Sequence, residues 1–174
     1  TAANQPILTI AAAGNYLTFD GSNDYLKAAA FALAQPETVY FVGSQVTWTS
    51  TDRLYDGNTG ASMTLRQVVG TPQLGITAGS SLNGASLTLA TNGVVTSVFN
   101  GASSAVRVNR TAAITGDAGV LGNGGGFTLG SANDGTLNAN ITAQEVVVYS
   151  GAHDKATQER VIAMLARNNR IALT

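Results

Sequence analysis

The chain has no cysteine, which removes disulfides, thiolate metal sites and a thiol nucleophile at once and leaves the redox compartment open. Charge is also scarce: Asp, Glu, Lys and Arg make up 11% of the residues, less than half of the roughly one quarter usual in soluble domains. Nine basic residues stand against ten acidic ones, for a formal charge of −1. Without a basic field to gather phosphate backbones, nucleic acid is not expected as a partner. No apolar run approaches the roughly 20 residues that span a bilayer, so membrane insertion is not expected. His153 is the only histidine and Trp48 the only tryptophan, and the glutamates are Glu37, Glu145 and Glu159 alone.

What is present is Ala, Thr, Ser, Asn and 20 glycines in 174 residues, a length that suits one domain over 1–174 with a core of its own. A surface built from neutral polar groups points to an extracellular or virion setting. The chain starts at Thr1 rather than Met, and it reads as part of a longer parent.

Period-two alternation dominates. It predicts strands over 16–19, 24–28, 37–48, 61–69, 86–90, 94–99, 105–109 and 141–149, separated by turn dipeptides such as Asp20-Gly21, Asn83-Gly84 and Asn92-Gly93. With no helices interleaved, the fold class is all-β, an antiparallel two-sheet sandwich. One helix is predicted at about 155–168, capped by Asp154, with Val161, Ile162 and Leu165 on its apolar stripe. The glycine-rich run 116–126 reads as the most flexible surface loop.

The stretches "YLTFDGSNDYLKA", "VVTSVFNGASSAVRVN" and "ITAQEVVVYSGAHDKATQERVIAMLARNNRI" resemble the laminin G-like branch of the concanavalin A-like lectin/glucanase superfamily, in the versions found in phage structural and bacterial surface proteins. The resemblance implies a jelly-roll sandwich with one C-terminal helix. It also implies a hairpin at Asp20-Gly21-Ser22-Asn23. Asp20, Ser22 and Asp24 could offer oxygens to Ca²⁺, but Tyr25 stands where an EF-hand loop needs glycine. No cofactor or metal is therefore expected.

Glycoside hydrolases of that superfamily place paired carboxylates on one strand as E-x-D-x-E. Here no glutamate has an acidic residue two positions away. Glu145 is expected to make a structural hydrogen bond, and His153, beside the helix cap with no G-x-S-x-G elbow in the chain, reads as a solvated turn residue. No catalytic residue is assigned, and the chain is not expected to be an enzyme. The remaining candidate is the 47–60 segment, which gathers Trp48, Arg53, Tyr55, Asp56 and Asn58: a ring to stack on a sugar, with planar hydrogen-bonding groups beside it. The competing reading has Trp48 and Tyr55 packed on the core and Arg53 paired with Asp56 or Asp52. Asn123, Asn133 and Asp134 join the site if they lie on the same rim.

The expected function is a glycan- or surface-binding adhesion module acting through rim loops. The alternative is a virion structural protein, a capsid decoration or tail-associated domain, that meets neighbouring proteins or copies of itself.

Overall fold

The computed structural model describes residues 4–12, 14–59 and 62–173. Two antiparallel sheets lie face to face. The first contains β1 (Ile7–Thr9), β2 (Tyr16–Asp20), β4 (Glu37–Gln45), β9 (Gly93–Phe99), β10 (Ser104–Val108), β11 (Ile114–Gly116) and β13 (Asn140–Ser150). Its seven strands run in the order β1-β2-β13-β4-β9-β10-β11. The second contains β3 (Leu26–Lys27), β5 (Arg53–Gly57), β6 (Thr64–Gln67), β7 (Gln73–Thr77), β8 (Ser81–Ser86) and β12 (Phe127–Leu129). Its six strands run β3-β12-β5-β6-β7-β8.

Alternation explains the layering. Along β4, Val39 and Phe41 enter the core between the sheets with Phe19, Leu65, Ile76, Val95, Phe99 and Ile141. Their neighbours Tyr40 and Val42 point the other way and meet Val94 and the helix residues Ile162, Leu165 and Ala166. Each fully buried Leu or Ile contributes about 1.5–3 kcal/mol. The helix, α1 (Lys155–Asn168), has the predicted bounds, and Asp154 caps it by accepting from Thr157 N at 2.8 Å. With α1 over the seven-stranded sheet, the outward face of the six-stranded sheet keeps a polar surface.

Several sequence expectations change here. The turn at Asp20 is present: its Oδ1 accepts from Ser22 N at 2.8 Å and Asn23 N at 3.3 Å, and Gly21 sits at φ +77°. It does not close a hairpin, because β2 pairs with β1 and β13 while β3 pairs with β12. The turn carries the chain from one sheet to the other. The predicted strand over 86–90 gives way to β8, whose last residue is Ser86, and Leu87 is buried beyond it. The strand predicted over 61–69 is β6 at Thr64–Gln67, and its first position, 61, lies outside the described residues.

The 116–126 run is strapped down rather than loose. Ala118 O accepts from Ala78 N at 2.6 Å, and the buried Asn123 accepts from Leu33 N and donates to Phe31 O. His153 is likewise a packed residue. Its Nδ1 lies 2.8 Å from the Tyr40 hydroxyl and its ring 4.7 Å from that of Tyr149. Glu145 makes the expected structural bond, accepting from Asn169 Nδ2 at 2.7 Å.

Candidate functional site

The outward face of the six-stranded sheet holds a cavity of about 380 Å³, lined by Thr51, Arg53, Thr64, Arg66, Thr77, Ser81 and Leu137, within the usual range for small-ligand sites. Two arginines form its floor. Arg53 and Arg66 are paired in the β5–β6 register, so strand geometry alone sets the two guanidinium groups side by side on one face.

A bulge on β5 completes the arrangement. The register slips between Arg53 and Tyr55, and both Leu54 and Tyr55 turn into the core. In a regular strand, residues three apart face opposite ways. The extra residue brings Arg53 and Asp56 to the same side, where they form an ion pair. Asp56 is fully buried and also accepts from Thr64 Oγ1 at 2.6 Å and Asn133 N at 2.9 Å. The Nε of Arg53 is buried with no hydrogen-bond partner among the described residues. Arg66 donates from Nε to Thr77 Oγ1 at 3.2 Å and from Nη2 to Ser81 Oγ at 3.0 Å, which fixes the plane of its guanidinium. Burial, and then the like charge of Arg53, hold Arg66 below the ordinary arginine value. A floor with two mutually repelling cations, rimmed by hydroxyls, favours an anionic group with several acceptor oxygens.

The structure separates the five residues expected from the 47–60 segment, whose last position, 60, lies outside the described residues. Arg53 lines the cavity, and Asp56 stands behind it as its counter-charge. Tyr55 corrects the ligand-binding expectation: it is fully buried and stacked on Phe127 at 5.3 Å between centroids, so it has no ring face to offer a sugar. Trp48 is half-buried, donates to Gln73 O at 3.4 Å, and does not line the cavity. Asn58 lies at the rim, where its backbone binds both Asn123 O and Asn133 Nδ2, so the glycine-rich loop and the 131–136 turn do meet there. In that turn the Thr136 hydroxyl and N–H hold the Asp134 carboxyl below its usual range.

Arg66, Thr77 and Ser81 were not among the sequence candidates. Their signal is slight: Thr64 and Arg66 alternate with Leu65 in "TLRQ", placing an arginine on the outward face of a short strand. Among the described residues no group of three or more His, Cys, Asp or Glu converges as a metal site would require, and the Asp20 and Asp24 carboxylates accept from backbone N–H groups.

No family model matches the chain, and no curated protein matches its sequence. Its fold is shared with parts of larger solved structures. Trypanosoma rangeli sialidase in complex with sialic acid superposes with a TM-score of 0.62 at 14% identity, over 92% of this chain and 29% of that one. The same sialidase with the inhibitor DANA gives 0.62 at 14%, over 89% and 28%. A mutant GH54 α-L-arabinofuranosidase soaked with 4-nitrophenyl α-L-arabinofuranoside gives 0.61 at 14%, over 85% and 40%. The chain thus spans well under half the length of each of these proteins. At such identity the likeness is one of fold: an all-β, two-sheet antiparallel sandwich.

These likenesses overturn the expectation that the chain is not an enzyme, because these three solved structures are of glycoside hydrolases, each matched over a part of its length. None of the three bears on the laminin G-like or virion reading. Among the described residues no helix is long and apolar enough to cross a membrane.

Proposed function

We propose that the chain recognises carbohydrate on the outward face of the six-stranded sheet, and that the sugar it holds there carries a carboxylate. The observation that supports this reading is the register pair Arg53 and Arg66 in a cavity rimmed by Thr51, Thr64, Thr77 and Ser81. A sugar carboxylate bridges two guanidinium groups, and ring hydroxyls exchange hydrogen bonds with the threonine and serine oxygens. The neighbours in fold are described with sialic acid and an arabinofuranoside, which is consistent with a sugar ligand.

The test is a glycan-array screen with and without Ca²⁺, with cleavage of the bound glycans scored in parallel. Binding concentrated on glycans bearing sialic or uronic acids is expected. Arg66→Met should weaken it about tenfold or more, in keeping with the loss of a charged hydrogen-bonding group, while circular dichroism stays unchanged. A preference for neutral glycans, or full binding by the variant, would remove the cavity as the site. Trp48→Ala separates this reading from one centred on the 47–60 loop. The cavity reading expects a change of less than about twofold, within what a residue outside the contact surface produces, whereas abolished binding would return the site to the loop.

A further inference from the structure

We infer that the chain holds a second ligand site, for a phosphate- or sulfate-bearing group, in the groove between β10, the turn that follows it and the first turn of α1. The groove encloses about 560 Å³, and Arg107, Arg110, Thr111, Thr115, Lys155 and Gln158 line it beside a patch of alanines. It lies on the seven-stranded sheet, away from the Arg53 and Arg66 cavity, and does not depend on the glycan reading.

Arg107 carries the inference. Alternation along β10 sends Val106 and Val108 into the core, so Arg107 faces outward, and at 3% exposure it is nonetheless buried. Its Nε donates to Asn109 O at 3.2 Å, but its Nη2 is buried with no hydrogen-bond partner among the described residues. The nearest carboxylate oxygen, Glu159 Oε1, is 4.0 Å away, too far for a hydrogen bond. Glu159 is also 41% exposed and shared with Lys155 Nζ at 3.9 Å. A buried guanidinium with an unfilled donor is costly unless an acceptor reaches it.

The groove is the route by which an acceptor arrives, and its charge selects the kind. Arg107, Arg110 and Lys155 line the groove, Glu159 lies within 4.0 Å of Arg107 and Lys155, and with the charge of Asp154 at the helix cap counted as well, three cations still outnumber two carboxylates. The surplus of positive charge suits a dianion. A tetrahedral oxyanion can accept from Arg107 at the floor while its other oxygens meet the exposed Arg110 and Lys155 at the rim.

The experiment is a ¹H–¹⁵N NMR titration of the whole chain with inorganic phosphate and with glucose 6-phosphate, glucose serving as the neutral control. Saturating shifts are expected at amides in 105–115 and 155–159 with both phosphates, and none there with glucose. Tighter binding of glucose 6-phosphate assigns the groove to a phosphorylated sugar, whereas equal affinities assign it to the free oxyanion. Arg107→Gln should weaken binding about tenfold or more. The surface double variant Arg110→Ala with Lys155→Ala, which leaves the packed residue untouched, should weaken it about fivefold. Absence of saturating shifts at these amides, or affinity undiminished in both variants, would overturn the assignment.

Discussion

The Glu37→Gln variant is expected to show a stability nearly flat between pH 5 and pH 8, while the native chain loses about 2.5 kcal/mol over the same range. Glu37 opens β4 with its side chain wholly buried, and neither carboxylate oxygen has a hydrogen-bond partner among the described residues. Burial pushes its carboxyl up from 4.5 to about 7. The folded state therefore holds a proton that the unfolded chain has already released above about pH 4.5. The resulting stabilisation is complete below that point and is lost as pH rises through about 7.

The surroundings do little to accommodate the charged form. Tyr55 is raised by burial, pulled down by Ser97 and raised again by the charge of Glu37. Glutamine has the same shape and no charge, so its curve should cross above the native one at alkaline pH. Urea melts at four or five pH values decide the matter. Parallel curves for the two proteins would mean that Glu37 is ionised in the fold and served by partners of its own.

Asp56→Ala should be the most damaging single change on the six-stranded sheet, costing about 3–5 kcal/mol. The carboxylate is fully buried and serves Arg53, the Thr64 hydroxyl and Asn133 N together. Removing it leaves a partly buried guanidinium without its counter-charge and two donors without an acceptor. For a chain of this size the melting temperature should fall by roughly 10 °C. Asp56→Asn keeps an acceptor for Thr64 and Asn133 but not the charge, and it should fall between the two. Because Asn133 ties the 131–136 turn to β5, glycan binding should weaken even in the fraction that remains folded. A thermal melt within about 2 °C of the native value would show that the pair adds nothing to the fold.

The legible parts of the fold were those whose pattern is local. The helix bounds followed from a capping Asp154 and a stripe repeating with the helical period, and α1 repeats them. The long apolar strands β4, β9 and β13 were equally plain. The six-stranded sheet was mostly hidden, because "RLYDG", "QLGIT" and "SLNGAS" are short and interrupted by glycine or polar residues. Their strand character comes from neighbours rather than from propensity.

The site divides in the same way. Arg53 and Asp56 stand three apart and could be paired by eye, but the bulge that puts them on one face is set by β6. Arg66, Thr77 and Ser81 come from three different strands, so nothing in their spacing announces a common cavity. The Asp20 turn was readable as a turn. Its sheet-to-sheet crossing was not, because the partners of β2 and β3 lie far along the chain.

That long-range pairing governs how the polypeptide acquires its structure. Val39 stands opposite Val148, and Phe19 opposite Ile141, so β13 is the keystone between two elements formed from the first quarter of the sequence. Until it arrives, β2 and β4 have exposed edges and no ladder joining them. Closing loops of this length before the contacts exist to compensate gives slow, all-or-none folding of the kind seen in high-contact-order β proteins. A ribosome-bound chain halted before residue 140 should therefore remain uncommitted, its apolar strands in need of shelter until the last strand slides between them.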